Sequence, residues 1–125
     1  MPWIPVAISF GAVFGALSRY YLTLFWAQVY GSTFPTGTFC VNLSGSLAIG
    51  FLSALASQHG LPIMLQKMVL VGFLGAYTTF SSYILETANL VRDRRVLVAL
   101  LYWLGSPILG LFGVEIGIWL GTQLI

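Results

Sequence analysis

The chain has 125 residues, of which 58% are hydrophobic and 6% charged, with a net charge of +2. A soluble domain carries about 25% charged residues, and a soluble chain this poor in charge could not cover its own surface, so lipid is the solvent this composition fits. The small net charge gives no footprint for nucleic acid, and the single cysteine, Cys40, excludes an intrachain disulfide.

A membrane-spanning helix needs about 20 apolar residues, and the chain divides into four such stretches with short links. The first runs from about residue 5 to 26. The stretch Met1-Pro2-Trp3-Ile4-Pro5 lacks the positive region of a secretory signal, so this segment reads as a retained helix. Trp3, Tyr20, Tyr21, Trp26 and Tyr30 lie toward its two ends, as interfacial rings do. Arg19 lies in its second half, where it either snorkels to the interface or lends positive potential to anion access. Gly31-Ser32-Thr33-Phe34-Pro35 is a turn signal.

The second segment, about 36 to 56, carries Thr38, Asn42, Ser46 and Ser53 at helical spacing, one polar stripe on an apolar helix. Asn42 is its costly member. Its amide is either interhelical glue or a donor facing a permeating anion, and the residues alone leave both open.

The third segment, about 63 to 91, is long for one span. Gly72-Phe73-Leu74-Gly75-Ala76-Tyr77 followed by Thr78-Thr79-Phe80-Ser81-Ser82-Tyr83 predicts a break near 75–79, which bilayer depth tolerates only beside protein or water. Thr79, Ser82 and Glu86 share one face by their spacing, and Phe80 and Tyr83 the neighbouring one. Glu86 reads as a solvated carboxylate near Arg92 or as part of a water-filled vestibule.

Arg92-Asp93-Arg94-Arg95 is a water-exposed turn and, by the positive-inside rule, weakly favours the cytoplasm. The fourth segment runs from about 96 to 124. Gly113, Gly117 and Gly121 there, like Gly11 and Gly15 in the first, give smooth faces for close packing within the chain or against a partner. Glu115 has no assigned role beyond pairing with Arg19. One histidine, one cysteine and one aspartate, far apart, build neither a metal set nor a nucleophile triad, so the chain does not read as an enzyme.

The runs Gly15-Ala16-Leu17-Ser18-Arg19-Tyr20, Gly37-Thr38-Phe39-Cys40-Val41-Asn42-Leu43-Ser44-Gly45 and Gly72 through Ser81 resemble the Fluc (CrcB-like) fluoride channels over essentially the whole chain. The resemblance implies an all-α membrane protein with a broken third helix, forming an antiparallel dual-topology dimer in the cell inner (plasma) membrane. It implies two fluoride pores and a structural sodium ion held by the backbone carbonyls of Gly75 and Thr78. It further implies that Asn42 donates to fluoride and Phe80 lines the pore. Thr38, Thr79, Ser82 and Tyr83 complete the expected pore set, with Arg19 and Glu86 at the anion access.

Two positions depart from the family pattern. Tyr83 stands where many members have phenylalanine, and the hydroxyl expected at Gly110 is absent, which leaves open a paralogous second subunit in place of an identical copy. Two rival functions remain on the residues. One is a four-helix proton-coupled multidrug exporter, although the first segment lacks the carboxylate such a carrier uses. The other is a structural subunit of a membrane complex.

Overall fold

The computed structural model describes residues 2–123, so the expected last residue of the fourth segment, Leu124, lies outside the described residues. Four stretches are helical, long and apolar enough to cross a membrane: Ile4–Tyr30, Thr36–His59, Ile63–Arg92 and Val96–Gln123. We label them α1 (Ile4–Tyr30), α2 (Thr36–His59), a composite third span, and α6 (Val96–Gln123). The third span comprises α3 (Ile63–Gln66), a π-helical segment (Lys67–Phe73), α4 (Leu74–Tyr77) and α5 (Phe80–Arg92).

The glycines decide which helices touch. Gly113 and Gly117 of α6 pack against α2, where a Cβ at Gly117 would strike the Leu47 carbonyl, and one at Gly121 would come within 2.8 Å of both Ala54 Cβ and Phe51 O. Gly50 answers from α2 against the Val114 carbonyl. The fourth segment's smooth face therefore packs within the chain, and in a bilayer such close backbone approach replaces the absent hydrophobic drive. On the other side, Gly11 and Gly15 of α1 receive the carbonyls of Met68 and Phe73, and Gly72 receives that of Ile8. The seam between α1 and the π-helical segment is thus lined by glycines from both helices, and such a segment often stands beside an irregular stretch.

The α1–α2 link and the α5–α6 turn lie at the same end, because the Arg95 guanidinium donates to the Thr33 carbonyl. A small aromatic core seals this end: Tyr83, Leu90, Ala99 and Tyr102 are buried together, with Phe34 and Phe39 packed on them. Phe34 meets Tyr102 edge-on at 5.4 Å, a favoured ring geometry.

Candidate functional site

The third span breaks at two residues. Thr78 (φ −83°, ψ 158°) ends α4 in an extended conformation, and Thr79 (φ −148°, ψ 121°) caps α5, its hydroxyl oxygen accepting the Ser82 N–H at 3.2 Å. The expected break is therefore present, at the C-terminal side of the expected window. An extended pair at bilayer depth leaves backbone groups to be satisfied, and Asn42 of α2 does this. Its Nδ2 donates to Thr79 O and its Oδ1 accepts Thr79 N–H, both at 2.8 Å. Because the partners are a carbonyl and an N–H, the amide orientation is fixed. One amide proton is thereby committed to the protein. The second, since a primary amide carries two, makes no hydrogen bond among the described residues.

The same clasp changes the oxygens of the break. In an unbroken helix the Thr79 N–H would bond Gly75 O; here it goes to Asn42. The Gly75 carbonyl loses its helical donor at a residue with open space around it, where a Cβ would meet nothing within 4 Å. The Thr78 carbonyl is turned out of the helix by its extended backbone. Two freed carbonyls suit a hard cation that prefers oxygen, although one chain supplies too few for a closed shell. Among the described residues no three His, Cys, Asp or Glu side chains stand together as a metal set.

The sequence-predicted residues fall into two voids that meet at Thr79. An open groove of about 750 Å³ is lined by Asn42, Gly75, Thr78, Thr79, Phe80 and Tyr83, with Ser46, Ser106 and Gly110. A polar cavity of about 390 Å³ holds Arg19, Thr38, Thr79, Ser82 and Glu86. Thr38 and Glu86 also line a smaller void of about 200 Å³ running to the α1–α2 link. Arg19 and Glu86 each keep one buried polar atom without a partner, Nε and Oε1. Two charged side chains lining one roomy polar cavity within the span suit a water- or ion-accessible space. Arg19 thus shares its cavity with Glu86, while Glu115 is exposed on α6.

The two rings behave differently. Phe80 is 74% exposed and turns into the open groove, whereas Tyr83 is buried, 7% exposed. Their centroids lie 5.7 Å apart with planes tilted by 54°. The Tyr83 hydroxyl donates to the Trp103 carbonyl of α6. The reason is Pro107, inside that helix: residue 107 would bond the carbonyl of residue 103, and proline has no N–H to give. Tyr83 supplies the missing donor, which phenylalanine could not. We expect Tyr83→Phe to cost about 0.6–2 kcal/mol. In a Pro107→Ala background, where the backbone N–H returns, the same change should be nearly neutral. A double-mutant cycle of unfolding in detergent reads the coupling, and equal costs in both backgrounds would refute the assignment. The signal was legible in the four-residue spacing of Trp103 and Pro107. Two further buried hydroxyls lack partners, those of Tyr102 and Ser106.

Comparison with known proteins gives one consistent likeness. The family described as "CrcB-like protein, Camphor Resistance (CrcB)" matches residues 6–118. A protein of Trichormus variabilis is 52% identical over 119 residues, 94% of this chain and 87% of the relative. Relatives from Synechococcus sp. (42% over 116 residues, 92% and 89%) and Hahella chejuensis (43% over 122 residues, 96% and 94%) are similar over comparable spans. All three are named "Fluoride-specific ion channel FluC".

Proposed function

The chain belongs to the CrcB-like family, and from that premise we propose that it is a passive, fluoride-selective channel of the cell inner membrane. The observation that carries the reading is the interrupted third span. It is held open by Asn42 and flanked by a charged cavity on one side and an aromatic groove on the other. No energy source is needed. In acid surroundings hydrogen fluoride crosses the membrane and ionises inside, so an anion leak down its own gradient lowers the internal load.

Each residue has a task that follows from its chemistry. Arg19 draws the anion into the vestibule beside Thr38, Ser82 and Glu86, whose low-dielectric walls focus its field. Fluoride is small and strongly hydrated, so lost water must be replaced by several close donors. The hydroxyls of Thr79 and Ser82 and the second amide proton of Asn42 are placed along the two voids to do this. The positive edges of the Phe80 and Tyr83 rings add C–H contacts; the Tyr83 hydroxyl, bound to Trp103, does not.

Assembly belongs to the same proposal. The groove is open on one side, and Phe80 stands 74% exposed within it, so a second copy is needed to close a path. An antiparallel copy would bring a second pair of Gly75 and Thr78 carbonyls to the first, giving sodium an oxygen shell that one chain lacks. A bound sodium ion would add fixed positive charge between the two copies.

The test is fluoride efflux from liposomes holding the purified protein, followed with a fluoride electrode. Efflux well above that of empty liposomes, with chloride retained, is expected. A rate equal to that of empty liposomes overturns the reading.

A further inference from the structure

Opposite walls of the groove carry hydroxyls at unequal positions. On α6, Ser106 Oγ is buried and makes no hydrogen bond. One turn later, Gly110 presents no side chain to the same groove. The facing helix fills that place: a Cβ built at Gly110 would find a single neighbour within 4 Å, Ser46 Oγ at 3.3 Å. Ser46 follows Asn42 by one helical turn and donates to the Asn42 carbonyl at 2.8 Å.

That bond is dispensable. The Asn42 carbonyl is the helical acceptor of the Ser46 N–H, so the hydroxyl is a second donor to an oxygen already served. A serine hydroxyl reorients among staggered positions and can leave without stranding a buried backbone group. Gly110 leaves it the room. Asn42 and Ser46 then present donors from positions about 6 Å apart along one face of α2, a short step for a dehydrated ion.

We propose that Ser46 contacts the permeating anion, its hydroxyl swinging from the Asn42 carbonyl to fluoride and serving, with Ser106 opposite, the stretch of α6 left bare at Gly110. The proposal rests on the groove being the fluoride path. It assigns this contact to α2.

Fluoride efflux from liposomes is measured for the unmodified protein, S46A and the double variant S46A/G110S, each checked for its elution volume and melting in detergent. Removing the hydroxyl should slow efflux about 3–30-fold, the loss of one hydrogen bond to a charged partner less the neutral bond released. In S46A/G110S the crowding oxygen is gone, a serine fits at 110, and the rate should return to within about threefold of the original. Should S46A fold poorly, Ser46→Cys keeps the shape with a weak donor and is read the same way. Conduction by the unmodified protein with an unchanged rate in folded S46A, or a double variant no faster than S46A, overturns the role of Ser46 alone. Absence of flux in the unmodified protein overturns the channel reading and this proposal together.

Discussion

Replacing Asn42 with alanine is expected to abolish most fluoride flux and to destabilise the fold at once, because one amide performs both tasks. Its Oδ1 and Nδ2 hold the N–H and the carbonyl of Thr79, each at 2.8 Å. Alanine leaves the Thr79 N–H unpaired at bilayer depth, at about 1–3 kcal/mol, while the Thr79 carbonyl, as the cap of α5, keeps its first intrahelical donor and loses only the second. The break can then close by letting the Thr79 N–H return to Gly75, re-forming the helix and withdrawing the carbonyl that the break had freed. The anion also loses a charge-assisted donor, a difference of about 1.5–3 kcal/mol and so roughly a 10–100-fold slower step. Asn42→Asp separates the two tasks. Its carboxylate still accepts the Thr79 N–H but faces the Thr79 carbonyl without a donor and repels the anion, so flux should fall at least as far while part of the stability returns. Efflux rates beside unfolding in detergent read the two effects. A conducting, fully stable N42A would mean that the break holds itself and that Asn42 faces neither backbone nor anion.

The part of this site visible in the sequence was the part written as unusual chemistry in an apolar background. A glycine pair followed by Thr78-Thr79 predicted an interruption because lipid cannot serve an unpaired backbone, and the third span breaks there. The likeness to fluoride channels rested on the same run, on the run around Asn42 and on Gly15 through Tyr20, and the comparisons bear it out. What the spacing could not show was where each proton goes. Asn42 was read as glue or as an anion donor, and the structure commits one amide proton to Thr79 while leaving the other free. Tyr83 was read as a ring of the pore set that departs from the family's phenylalanine, whereas its hydroxyl answers a defect in another helix, created by Pro107. Such a partnership joins residues twenty apart through a group that the sequence never prints, the backbone carbonyl of Trp103. Thr79 lining both voids is likewise a property of the packed helices, since helical periodicity places a residue on a face without saying what lies beyond it.

Gly117 carries the other large expectation. Alanine at this position should cost about 2–4 kcal/mol, at or above the usual range for overpacking. The added Cβ would strike the Leu47 carbonyl and stand 2.8 Å from Phe51 N. Both are backbone atoms of α2, which no rotamer change can move aside. The helices must part, and the neighbouring approaches of Gly50 to Val114 and of Gly121 to Ala54 loosen with them. Because α2 carries Asn42 and Ser46 while α6 carries Ser106, a shift along this seam widens the groove, and fluoride flux should fall even in the fraction that stays folded. Gly105 on the same helix is the control, since a Cβ there meets nothing within 4 Å. G105A should leave the fold of the chain intact or raise its stability by up to about 1 kcal/mol through helix propensity. Melting of the two variants in detergent separates the cases. If G105A unfolds more readily than G117A, the seam that matters most lies between copies of the chain, and the smooth face of α6 along Gly113, Gly117 and Gly121 is not what holds the subunit together.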